Sequence, residues 1–209
     1  MAFTTLEDFL AKAEAQLDPI EGHSQLPETG DLEHIERDML NAIRPAAVLV
    51  PVIPRPSGAT VLLTQRPETM AAHPGQVAFP GGKIDPGDAN DVAAALREAE
   101  EEVGVDPASV GLIGRAAPYI TGTAYRIVPV IGVLPADFKP VPDPTEVADV
   151  FEAPLDYLFK KANYHQASAF WKGKQRQYTE MFWDGFRIWG VTAGIIRVLY
   201  KTLYEQEEG

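Results

Sequence analysis

Cysteine is absent from the 209-residue chain, which excludes disulfides, a thiolate metal site and a cysteine nucleophile. Positive charge is scarce: 18 Lys and Arg face 30 Asp and Glu, for a formal net charge of −12. Nucleic acids and anionic membranes are held by clustered Lys and Arg, so neither is an expected partner. An anionic small molecule stays admissible where a bound cation inverts the local field. Long apolar runs are also missing. The longest, AAVLVPVI, falls far short of the roughly 20 residues of a membrane-spanning helix. The opening MAFTTLEDFL lacks the basic and then apolar segments of a secretory signal, so a soluble, cytoplasmic protein is expected. There is no internal repeat, no G-x-x-x-x-G-K-[ST] phosphate loop and no G-x-S-x-G elbow. His23, His34, His73 and His165 have no metal-type spacing.

What the chain does contain suits one compact domain: 45% of its residues are hydrophobic and 9% aromatic, enough to bury a core. TTLEDFLAKAEAQL reads as a first helix, with Thr4 and Glu7 spaced as a capping box. DLEHIERDMLNAI then places Leu32, Ile35, Met39, Leu40 and Ile43 on one helical face, with Asp31 as N-cap and Pro45 beyond the end. Residues 1–45 are thus expected to form a helical extension packed on a main domain of residues 46–209. There AAVLVPVI and TVLLTQR read as strands joined by the turn-rich PRPSG. The aperiodic stretch PETMAAHPGQVAFPGGKIDPGDAN is where functional loops usually lie. DVAAALREAEEEVG is the clearest helix, with Val92, Leu96, Ala99 and Val103 on one side and Gly104 placed to end it. GLIGRAAPYI and YRIVPVIGVL read as strands, and VADVFEAPLDYLFKK as a short strand and a short helix. QYTEMFWDGFRIWG has the hairpin signal Asp184-Gly185, and VTAGIIRVLYKTLYEQ closes the chain as an amphipathic helix. The fold class is α/β with a mixed β-sheet. A monomer or homodimer is expected, the aromatic hairpin from Tyr178 to Trp189 being a candidate dimer contact.

One helix raises the question of function. LREAEEEVGV crowds Glu98, Glu100, Glu101 and Glu102 into little more than one turn, where like charges cost roughly 0.2–0.5 kcal/mol per close pair. At 100° per residue, Glu98 and Glu102 lie about 40° apart and Glu101 about 60° to the other side of Glu98. These three share a face, while Glu100 points about 160° away. Arg97, one turn before Glu101, is placed to pair with it. Hard divalent cations take oxygen ligands, and Mg²⁺ typically combines one or two carboxylates with waters and substrate phosphates. A solvated acidic surface is the alternative. The run, however, begins where a Gly-rich loop ends, and that context favours a metal platform.

GGKIDPGDANDVAAALREAEEEVGV resembles the Nudix box, in which a glycine, five residues, an acid and a spacer precede R-E-apolar-x-E-E-x-G-apolar. Arg97, Glu98, Ala99, Glu101, Glu102, Gly104 and Val105 match its second half. Gly82 matches the first half, but Asp88 stands where Glu is usual and the spacer to Arg97 is eight residues rather than seven. The resemblance implies an α/β/α sandwich that hydrolyses a nucleoside diphosphate linked to another moiety. It carries over Glu98, Glu101 and Glu102, with the Gly82 carbonyl, as ligands for Mg²⁺ or Mn²⁺, and Arg97 as their orienting partner. The general base stays open among Glu98, Glu101 and an acid outside the box; Glu146 is either such a base or metal ligand, or a helix or strand cap.

The segment LLTQRPETMAAHPGQVAFPGG is similar to the signature of coenzyme A diphosphatases within that family: L-L-T-x-R, then H-x-G-Q, then F-P-G-G. Pro67 and Met70 depart from its usual serine and leucine. The resemblance runs from about Ala46 to Leu199 and implies cleavage of coenzyme A or acyl-CoA to 3′,5′-ADP and 4′-phosphopantetheine. ADP-ribose, NADH and dinucleoside polyphosphates are the rival substrates, and a non-catalytic nucleotide-binding protein is the rival class. Arg66, His73, Gln76, Phe79 and Gly81 become candidate substrate-binding residues. Arg66 either grips a phosphate or pairs with a core acid, His73 either binds substrate or braces its loop, and Phe79 either meets substrate or is core.

Overall fold

The computed structural model describes residues 4–22, 24–32, 42–70, 73–171 and 174–205. Strand alternation explains its layers. In β2 (Arg44–Arg55), Ala47, Leu49 and Ile53 enter one buried cluster while Val50 and Val52 enter another. This is the two-residue period that sends successive side chains to opposite faces. β3 (Gly58–Gln65) and β8 (Tyr125–Val133) divide the same way, Leu62 and Val130 to the first face, Leu63 and Ile131 to the second. With both faces apolar, each needs a cover. α1 (Leu6–Gln16) covers the second face through Phe9 and Ala13, joined there by the C-terminal helix through Ile195, Ile196 and Leu199. α2 (Asp91–Val103) covers the first through Val92, Ala95, Ala99 and Val103. The product is an α/β/α sandwich, as expected.

Among the described residues the main sheet has nine strands. β1 (Thr29–Gly30), β7 (Tyr119–Ile120), β8, β2, β3 and β4 (Val77–Ala78) follow in that order. β5 (Gly81–Lys83) pairs with β2, β6 (Gly111–Arg115) with β8, and β9 (Asp149–Pro154) with β3. β2 runs parallel to β8, from Arg44 opposite Tyr125 to Val52 opposite Val133, and β1 runs parallel to β7; the remaining pairs are antiparallel. After the short α3 (Leu155–Leu158) comes a three-stranded antiparallel sheet, β10 (His165–Trp171), β11 (Lys174–Trp183) and β12 (Phe186–Trp189). Phe151 of β9 stacks on Phe186 with 3.9 Å between ring centroids, fastening the small sheet to the large one. α4 (Gly190–Tyr204) closes the described chain. No helix among the described residues is long and apolar enough to cross a membrane.

Several expectations are refined. Thr5 rather than Thr4 caps α1, accepting the Asp8 N–H at 3.1 Å, because Thr5 is the last residue with extended backbone. GLIGRAAPYI is two strands, broken where Pro118 removes a ladder donor. Asp184 and Gly185 turn the β11–β12 hairpin with φ of 47° and 84°, the geometry that Asp-Gly supplies. β10 forms from HQASAFW, which carries no strand alternation. The helix expected over 31–43 lies largely outside the described residues; the Asp31 carboxylate, its expected cap, accepts the Gly122 N–H at 3.0 Å.

Candidate active site

The site grows from two glycines beside the central strand. Gly81 and Gly82 of β5 pair with Val48 and Ala47 of β2. A Cβ on Gly81, whose φ is 154°, would stand 2.5 Å from the Ala47 carbonyl oxygen. A Cβ on Gly82 would stand 2.5 Å from the Glu98 carboxyl carbon, so glycine lets that carboxylate rest against the strand. From β5 the chain turns at Asp85–Asp88 and enters α2, whose N-cap Asn90 accepts the Ala93 N–H at 2.9 Å. Gly104 ends the helix in the left-handed region, φ 71°.

Arg97 organises the first turn of the acidic run. Its Nε and Nη2 donate to the two carboxylate oxygens of Asp88 at 2.9 and 3.0 Å. Nη1 donates to Glu98 and to Glu101, each at 3.0 Å, and Nη2 also reaches the Lys83 carbonyl at 3.1 Å. All five guanidinium N–H donors are thereby committed. These contacts, the Asp88 pair foremost, hold Arg97 firmly protonated. Arg97 in turn holds the Asp88 carboxyl below its usual range. Asp88, one residue out of the family spacing, still reaches the arginine with both oxygens.

The carboxylates separate into two sets. Oxygens of Glu98, Glu102 and Glu146 lie within 4.8 Å of one another. Glu101 stands outside that group, its side chain 57% exposed and turned to Arg97. Glu102 is 3% exposed, although helical arithmetic placed it on an acidic face; β5 covers it, and Gly81 N–H donates to it at 3.4 Å. Burial lifts its carboxyl to about 8, with Glu98 and Glu146 adding to the rise and the Gly81 N–H and Arg66 opposing it. Burial raises Glu98 as well, against the pull of Arg97.

Glu146 arrives from a distant loop that is stitched to the end of α2. Val141 and Asp143 donate their N–H groups to the carbonyls of Val103 and Glu102 at 2.9 and 3.0 Å, occupying acceptors the helix end leaves unpaired. Glu146 and Val147 then both donate to the Asp143 carbonyl, and Thr145 caps the Asp143 carboxylate at 2.8 Å.

The loop before β5 brings the remaining candidates. Arg66 N–H donates to the Gln76 carbonyl at 3.0 Å, and Gly75 N–H to that of Arg66 at 3.2 Å. The Arg66 Nε is buried without a hydrogen-bond partner. His73, at φ 56°, and Gln76 line a cavity of about 530 Å³ bounded by β11, β12 and α4. Phe79 is different: at 3% exposure it packs in the core, the second of the two roles open to it. The rest of the cavity wall comes from β1, from β7 and the turn after it, and from β10 to α4; Tyr178 and Trp189, the ends of the aromatic hairpin, face it.

A family model for the NUDIX domain matches residues 43–171. The chain belongs to the Nudix family. A relative named uncharacterized Nudix hydrolase NudL in Escherichia coli K12 is 43% identical over 165 residues, 79% of this chain and 85% of its own length. Its namesake in Shigella boydii serotype 4 is 44% identical over the same length. Among solved structures, the Ap4A hydrolase of C. elegans matches 58% of this chain and 88% of its own, at 20% identity and a TM-score of 0.46. RenU, a Nudix hydrolase of M. smegmatis, matches 68% and 80%, at 24% identity and a TM-score of 0.44. As a Nudix hydrolase the chain acts on pyrophosphate bonds, and enzymes of this family generally use divalent metals. Three carboxylates within 4.8 Å, one buried with a raised pKa, fit such an ion: it takes hard oxygen donors and relieves their repulsion.

Proposed function

We propose that this Nudix hydrolase cleaves the diphosphate of coenzyme A or acyl-CoA, giving 3′,5′-ADP and (acyl-)4′-phosphopantetheine. One observation carries the reading. The L-L-T-x-R…H-x-G-Q segment folds as a hairpin whose Arg66 side chain, with a buried and unpartnered Nε, lends its charge to Glu102. A guanidinium with donors to spare beside an acidic metal platform suits a diphosphate bridging the two.

Glu98, Glu102 and Glu146 would hold Mg²⁺ or Mn²⁺, with the Gly82 carbonyl as a further donor. A bound divalent ion would polarise the diphosphate and lower the pKa of an attacking water. Arg97 keeps Glu98 in place, and Glu101 and Asp88 keep Arg97 in place. Glu146 forms no ion pair among the described residues, which leaves its lone pairs for an ion or for the proton of the water. Water oxygen adds to one phosphorus as a carboxylate accepts its proton, and the bridging oxygen leaves with the other phosphate. Proton transfer of this kind contributes roughly 10²–10⁴ in rate.

The test is product analysis. With Mg²⁺ or Mn²⁺, coenzyme A and acetyl-CoA should yield 3′,5′-ADP faster than ADP-ribose, NADH or diadenosine polyphosphates are cleaved. Higher kcat/KM for ADP-ribose than for either coenzyme would overturn the assignment.

A further inference from the structure

The carboxylate group does not explain the cavity onto which His73 and Gln76 open. At about 530 Å³ it has the volume of a small-ligand site. Its walls combine rings with cations. Tyr178 and Trp189 stand with centroids 5.6 Å apart, and Arg176 of β11 and Arg197 of α4 complete the lining. On a chain of net charge −12, two guanidinium groups line one cavity. Among the described residues one carboxylate, Asp31, is in the lining, and it accepts hydrogen bonds from Gly122 N–H and the Tyr119 hydroxyl. Glycines keep the room clear: a Cβ on Gly122 would stand 2.5 Å from Arg176 Nη1, and one on Gly194 would collide with the Tyr119 ring.

Cavity and carboxylate group meet across one hairpin, since Arg66, whose charge reaches Glu102, is bonded through its N–H to Gln76 of the cavity wall. The two halves of coenzyme A differ in what they ask of that space. The pantetheine arm has neither ring nor charge. The nucleoside half has an aromatic base and a 3′-phosphate, matching rings and guanidinium groups respectively. We propose that this cavity binds the 3′-phosphoadenosine half, the base against Tyr178 and Trp189 and the 3′-phosphate at Arg197 and Arg176. The proposal rests on the coenzyme A reading for its substrate and on the cavity for its chemistry.

Calorimetry on the full chain in Mg²⁺ buffer, with 3′,5′-ADP and 5′-AMP as probes, tests it. The 3′-phosphate should tighten binding roughly tenfold or more, the worth of one charge-assisted contact. Arg197→Gln, on an exposed helix position, should erase most of that preference, and Arg176→Gln serves as the second variant. The ratio of kcat/KM for coenzyme A over dephospho-coenzyme A should fall toward one in the same proteins. Equal affinity for both nucleotides in the parent, or a preference that survives both substitutions, overturns the proposal. The two readings fail separately. A chain that prefers 3′,5′-ADP yet cleaves ADP-ribose faster than coenzyme A loses its substrate assignment and keeps its cavity. One that cleaves coenzyme A with no 3′-phosphate preference keeps the assignment and loses the cavity.

Discussion

Replacing Glu102 by glutamine removes one charge from a position that is 3% exposed and crowded by Glu98 and Glu146. In the folded chain the Glu102 carboxyl sits at about 8, against 4.5 when free. A raised acid binds its proton more tightly in the fold than in the unfolded chain. Without a cation, stability is therefore undisturbed below pH 4.5 and falls as the pH climbs toward 8. At roughly 1.4 kcal/mol per pH unit the loss reaches at most about 5 kcal/mol. Glutamine carries no charge, and its amide oxygen still accepts the Gly81 N–H. In chelator at alkaline pH, Glu102→Gln should thus melt higher than the parent, and the difference should vanish in acid. A gain of about 3 kcal/mol corresponds to roughly 6–12 °C in a chain of this size. With Mg²⁺ the order reverses: the parent gains stability by binding, the variant little. Turnover should drop no less than the roughly 10–100-fold that loss of an outer partner of a metal ligand costs. Thermal melts across pH, with chelator and with Mg²⁺, read all of this. A variant that melts at or below the parent in alkaline chelator, or an equal Mg²⁺ shift in both proteins, would refute the reasoning.

Gly82→Ala pushes against the end of a side chain, so Glu98 should swing aside while the fold survives; steady-state kinetics should show a loss of roughly 100-fold, the scale of a displaced catalytic group. Gly81→Ala meets the Ala47 and Val48 backbone at a φ of 154° instead, and its melting temperature should fall well below that of Gly82→Ala. Glu146→Gln should weaken Mg²⁺ activation in a metal titration far more than Glu101→Gln does, because only Glu146 joins the three-carboxylate group; equal effects would dissolve that distinction.

The sequence made the helical part of the site legible and the long-range part not. Spacing alone placed Arg97 one turn before Glu101, and the two are paired at 3.0 Å. Gly104 and Asp184-Gly185 were readable because their backbones take positive φ, which few residues tolerate. Angles around a helix, however, say nothing of what covers it. Glu102 shares a face with Glu98 yet is sealed by β5, a three-residue strand inside a stretch with no periodicity. Asp88 looked displaced by its spacer, but the turn from Asp85 returns it to Arg97. Glu146 joins the group only through hydrogen bonds between its loop and the end of α2. HQASAFW has no clean alternation, which hid β10 and with it the cavity beside it.

Those same amide-to-carbonyl contacts have a mechanical meaning. The segment from Val141 to Val147 hangs from the last turn of α2, so the third carboxylate rides with the second as one rigid bracket. Were Glu102 and Glu146 to share an ion, as proposed, lengthening the chain between Asp143 and Glu146 should shift its preference toward a larger cation with the glutamates themselves left alone.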